Sequence, residues 1–165
     1  MPEPSARRGW RPHRYLKYGF LEDLDATRHI AVGKVLGVPV AVTPTAWLQP
    51  PLFFALGVVL TYLPGRLAAS VASGDRLVDA FGFAVAGLVA NAAHALGHIV
   101  SGTLAGSPMD ELLVTATRDA NRYHGDQSGI PSRTHIARAV GGPVGNLVVA
   151  AVAFGALAVL GVGGH

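Results

Sequence analysis

The chain has no cysteine, which excludes disulfide scaffolds, thiolate nucleophiles, iron–sulfur clusters and Cys-based zinc sites. Charge is also scarce. Only 14% of the 165 residues are Asp, Glu, Lys or Arg, against roughly 25% in ordinary soluble domains. With apolar residues at 50%, a disordered chain is excluded as well. A pI near 9.7 does not make the chain a soluble nucleic-acid binder, because the net charge is only +3. What is abundant is glycine, at 21 residues, beside a mean hydropathy of +0.40. Small residues in an apolar background are what helices packed in lipid require, since they let backbones approach closely.

The few charges are segregated. Residues 35–65 and 80–109 carry none, and none follows Arg138. A bilayer core takes about 20 apolar residues as helix, so each window holds one span, expected near 46–63, 78–104 and 139–162. In the first, Gln49, Pro50 and Pro51 fall where a first helical turn tolerates proline. The first apolar run begins after residue 45, too late for a cleavable signal peptide. The expected fold class is therefore an α-helical multi-pass membrane protein with about three transmembrane helices and short β-strands on the cytoplasmic side. Eleven of the 13 Lys and Arg lie in residues 1–45 and 105–138, which share one side in this arrangement. The positive-inside bias puts that side, and the N-terminus, in the cytoplasm.

Residues 1–29 read as a basic arm lying against anionic lipid, with no nucleic-acid partner, and residues 30–165 as the membrane domain. Valine-rich 30–42, punctuated by Gly and Pro, suggests short strands. Residues 111–117 have β-forming character too, followed by a turn-rich stretch over 123–129.

The second window holds the chemistry. Asn91, His94, His98 and Ser101 are spaced by three, four and three residues and share one helix face, which Gly87 continues. Ionisable groups at membrane depth are expensive and normally face the bundle interior. Histidines at i and i+4 bring two imidazoles to one metal ion. The bland alternative is an interhelical polar network without metal. The third window opens with Ser132 as an N-cap candidate and carries Gly141, Gly142, Pro143, Gly145 and Asn146, a small-residue packing face with a proline kink.

Three segments in this order, Val32–Trp47 (VGKVLGVPVAVTPTAW), Asn91–Gly102 (NAAHALGHIVSG) and Ala139–Asn146 (AVGGPVGN), resemble the site-2 protease family of intramembrane zinc metalloproteases. The likeness covers residues of about 30 to 160. It implies zinc as cofactor, His94 and His98 as metal ligands, and Asn146 as a catalytic residue that steadies substrate or oxyanion. Two departures stand out. The general-base glutamate of the family's HExxH motif falls on Ala95, and the third ligand, an aspartate in an Asp-Gly motif on a further helix, has no counterpart in the residues after Asn146. His124, Asp126, Asp110 and Glu111 are the remaining candidates for a third ligand. Ala95 is either native, making the chain a pseudoprotease, or an engineered Glu→Ala change, and the joint loss of base and ligand favours the first. The resemblance then implies a catalytically inactive homologue that binds a partner's transmembrane segment. The alternative is an active metalloprotease in its unmodified, full-length or partnered form. Metal or proton movement along the Asn91–Ser101 face is a third expectation.

Overall fold

The computed structural model describes residues 28–62, 75–117 and 119–160. The arm expected over 1–29 thus falls almost wholly outside the described residues. Strands β1 (Ile30–Val35) and β2 (Val38–Val42) come first, then a 3-10 turn (Ala46–Leu48) and helix α1 (Gln49–Tyr62). Helix α2 (Arg76–Leu104), strands β3 (Glu111–Val114) and β4 (Asp119–Arg122), and helix α3 (Ser132–Val159) follow.

The valine-rich stretch does form strands. Leu36 and Gly37 join β1 to β2, both with positive φ (50° and 83°), the geometry that matches a two-residue turn to the twist of the flanking strands. The sheet order is β1-β2-β3-β4, with β2 and β3 parallel and the other pairs antiparallel. Since β2 precedes α1 and β3 follows α2, this pairing puts residues 30–42 and 111–122 at one end of the helices. The two segments that the charge pattern groups together thus lie side by side. Strand β4 was not expected; its sequence, Asp-Ala-Asn-Arg, has little β-character and is recruited by pairing with β3.

Two helices, α2 and α3, are long and apolar enough to cross a membrane. Only 22% and 6% of their apolar windows are buried, unlike a core helix of a soluble protein. The span expected over 46–63 is helical from Ala46 to Tyr62, the 3-10 turn running directly into α1, but is shorter than α2 and α3. Its 14-residue helix reaches about 21 Å, against a hydrocarbon core of about 30 Å, and residue 63 lies outside the described residues. The third helix begins at Ser132, ahead of the span expected from 139 and within one residue of the start that the N-cap candidate implies. Its N-cap is Pro131 rather than Ser132, with no side-chain cap. Pro143 lies inside α3, which continues through it.

Each face of α2 has its own neighbour. Ala95 and Ile99 pack with Val38, Met109 and Leu112 of the sheet side. Gly57 of α1 meets the backbone of Ala80, where an added Cβ would lie 2.8 Å from the Ala80 carbonyl oxygen. Gly87 receives the ring of Phe53 from α1, so it does not extend the polar face toward α3. Against α3, Gly97 lies under the Gly141 carbonyl, Gly141 under Ser101, and Gly145 under the Ala93 carbonyl. The small residues at 141 and 145 thus set a close helix crossing, as the sequence pattern suggested.

Candidate metal centre

That close crossing brings the polar face of α2 onto α3. His94 and His98 are one turn apart, and their Nε2 atoms converge to 3.1 Å. The rings meet edge to face, with centroids 4.7 Å apart and planes at 78°. His98 Nδ1 is 2.6 Å from the Arg138 carbonyl of α3, so it carries the proton and donates it. The Nε2 of His98 is then a bare acceptor. Ser101 Oγ donates to the His98 and Arg138 carbonyls at 3.3 and 3.4 Å. Asn146 Nδ2 lies 3.3 Å from His94 Nδ1.

These contacts close into a relay needing no ion. Asn146 donates to His94 Nδ1, His94 Nε2–H donates to His98 Nε2, and His98 Nδ1–H donates to Arg138. One atom is left over: Asn146 Oδ1 is buried without a hydrogen-bond partner. Turning the amide about its Cγ would aim Oδ1 at His94 and favour the Nδ1–H tautomer there. Both histidines would then donate Nδ1–H to a carbonyl and present bare Nε2 atoms to each other. Two lone pairs at that spacing repel unless a cation lies between them. Nitrogens bound 2.0–2.1 Å from one tetrahedral zinc are separated by about 3.3 Å, close to the 3.1 Å observed. The pair therefore fits two ligand positions of one zinc. A catalytic zinc takes three protein ligands, and no group of three His, Cys, Asp or Glu suited to a metal occurs among the described residues.

The other candidates lie elsewhere. His124 is exposed and faces Asp110, with its backbone N–H on that carboxylate at 2.7 Å. Asp126 is exposed and accepts from the backbone and hydroxyl of Ser128, which hold its carboxyl below the usual range. Glu111 pairs with Arg122 at 3.5 Å.

Position 95 is informative. Ala95 is 5% exposed and packs into the apolar cluster with Val38, Ile99, Met109 and Leu112, not onto the histidine face. The surroundings are shaped for a small apolar side chain, which a carboxylate would replace with a buried charge.

Sequence reasoning missed one carboxylate. Asp119 of β4 accepts from Asn91 Nδ2 at 3.0 Å and from Gln49 Nε2 at 3.3 Å, joining β4 to α2 and α1. Burial raises its carboxyl above the usual range, partly offset by those two bonds and by His94. Asp119 is the only acid between Glu111 and Asp126, a signal that was available, but no spacing rule links it to Asn91. Comparison with known protein families, characterised proteins and solved structures finds no match.

Proposed function

We propose that this chain is a multi-pass membrane protein of site-2-protease type that no longer cuts peptides, holds a metal ion on His94 and His98, and binds a partner's transmembrane segment. In this reading α1, α2 and α3 all lie in the bilayer, with the sheet and the N-terminus on the cytoplasmic side. The observation that carries it is the convergence of the two Nε2 atoms at 3.1 Å, across a helix crossing built from glycine.

His94 and His98 would hold the metal. The Arg138 carbonyl fixes the ring of His98, and Asn146 that of His94; such outer contacts orient ligands and raise their basicity. When bound, zinc would supply a Lewis acid for a carbonyl of the bound segment. The absence of peptide cleavage rests on Ala95. With an apolar core around that position, the residue that follows His94 supplies no base to take a proton from water, and Asp119 is held by Asn91 and Gln49 instead.

Metal analysis of the purified protein tests the centre. The expected result is zinc bound by wild type and lost in His94→Ala/His98→Ala, with no cleavage of a transmembrane substrate by either. Equal metal content in both proteins would refute the centre and leave the metal-free relay. Chelator-sensitive cleavage by wild type would refute inactivity. For the partner, photo-crosslinking from α2 and α3 in native membranes should capture a membrane-spanning protein; labelling of lipid alone would refute that part.

A further inference from the structure

Arg138 is the one charged residue that is buried among the described residues, at 7% exposure. Its partners are all neutral. Nε donates to the Ser107 carbonyl at 3.0 Å, Nη1 to Gln127 Oε1 at 2.7 Å, and Nη2 to the Ser107 hydroxyl. The guanidinium lies over the Tyr123 ring, 4.0 Å from its centroid. Among the described residues no carboxylate lies within ion-pair distance of it. A desolvated cation without a counter-charge is costly, and neutral hydrogen bonds with one aromatic face offset only part of that. Three of the five guanidinium N–H groups are used, leaving two.

Beside it is a cavity of about 260 Å³, lined by Arg138, His135, His98, Tyr123, Gln127 and Asn121, with no acid in its wall. The same place is the start of the 28-residue helix α3, whose first turn holds no acid. Helix N-termini carry a partial positive charge and usually gather Asp or Glu. Here the first turn holds Arg133, and Arg138 follows in the second. The buried Arg138 cation thus brings positive potential to one opening, lined also by His135, where α2 ends and α3 begins. For helices that cross a bilayer, this is the level at which headgroup phosphates lie.

We propose that this cavity is a phosphate-binding site, in which the two spare N–H groups of Arg138 grip the phosphate oxygens and His135 closes over it. The paired donors of a guanidinium suit a tetrahedral oxyanion. The volume leaves room for part of the ester that carries the phosphate. The source is either a lipid headgroup or a soluble phosphate. The cavity shares His98 with the proposed metal centre, so protein stripped of metal separates phosphate binding by Arg138 from binding to a metal ion.

The test uses the full chain in detergent, stripped of metal by chelator. Inorganic phosphate is titrated calorimetrically at constant ionic strength, and short-chain phosphatidic acid is followed by native mass spectrometry. The expected result is saturable one-to-one binding of at least one probe. Lipid binding alone assigns a headgroup, phosphate binding alone assigns a soluble ligand, and mutual displacement assigns one site to both. Arg138→Gln should weaken binding by roughly tenfold or more, as loss of a charge-assisted contact does. Arg138→Lys keeps the buried charge but not the paired donors and should bind weakly. His135→Ala, at an exposed position, should fold normally and weaken binding several-fold. No saturable binding of either probe to wild type overturns the proposal. So does binding that is unchanged in both His135→Ala and Arg138→Lys.

Discussion

Replacing Gly142 with alanine separates the histidine pair from the packing that presents it. A Cβ at this position would stand 2.5 Å from His94 Cε1 and 2.5 Å from His98 Nε2, with His94 Nε2 also in contact. Carbon contacts settle at about 3.5–4.0 Å, so the rings must retreat by about 1 Å. What yields is the tip of two side chains rather than backbone. Moving each imidazole off its rotamer costs about 0.5–1.5 kcal/mol. Alanine in place of glycine within a helix returns about 1 kcal/mol. With both rings moved, the net effect on stability is about 0–2 kcal/mol against folding. The effect on metal binding at the proposed centre should be large, because the 3.1 Å spacing that suits one ion is lost. Zinc affinity should fall by roughly 10–100-fold, the size of effect seen when ligand orientation is disturbed. Gly141→Ala is the control. There the new Cβ meets the Gly97 carbonyl and Ser101, so the helices must part, at about 1–3 kcal/mol. The assay pairs zinc competition against a chromophoric chelator with thermal unfolding in detergent. Wild-type zinc affinity in Gly142→Ala would refute the reasoning. Equal destabilisation by the two variants would show that backbone, not ring, bears the contact at 142.

Other outcomes follow from the same geometry. Ala95→Glu should restore no peptide cleavage and should lower stability by at least about 2 kcal/mol, since it puts a carboxyl among Val38, Ile99, Met109 and Leu112; activity gained without that loss would contradict it. Asn146→Ala should reduce zinc affinity by roughly tenfold, by freeing the His94 ring, with unchanged affinity counting against that orienting role. For Asp119, burial raises the folded-state carboxyl above the ordinary aspartate range, so the folded protein holds this proton to higher pH than the unfolded chain. The penalty for the charged form is absent below the unfolded value and complete above the folded one. Stability should therefore drop as pH rises through that interval, and Asp119→Asn should remove this component; melts with the same slope in both proteins would disprove it. Ile99→Ala, at a fully buried position, should cost about 2–5 kcal/mol in denaturation, and a cost under 1 kcal/mol would mean that the sheet does not rest on α2 as described.

Much of the helical frame was legible because it depends on local pattern. The uncharged windows mark α2 and α3, and the i, i+3, i+7 spacing by itself puts Asn91, His94 and His98 on one face. Valine and glycine foretold β1 and β2. Strand β4 was not legible, since Asp-Ala-Asn-Arg has no strand signature and pairs only because β3 is beside it. Gly87 was assigned to the polar face by periodicity, yet Phe53 of α1 occupies it. Helix periodicity gives a direction but not the neighbour found there.

The same division holds at the candidate site. Sequence by itself determined that two histidines share a face, that alanine stands between them at 95, and that glycines line the helix expected to follow. It could do so because helix geometry is fixed by the backbone. Only the tertiary structure decided that the Nε2 atoms converge, that Asn146 and the Arg138 carbonyl grip the two rings, and that Ala95 faces the sheet. Those facts depend on where α3 crosses α2, which the contacts at Gly97, Gly141 and Gly145 set. The isolation of Arg138 from any described carboxylate is of the same kind, because a missing counter-charge is a property of space, not of order along a chain.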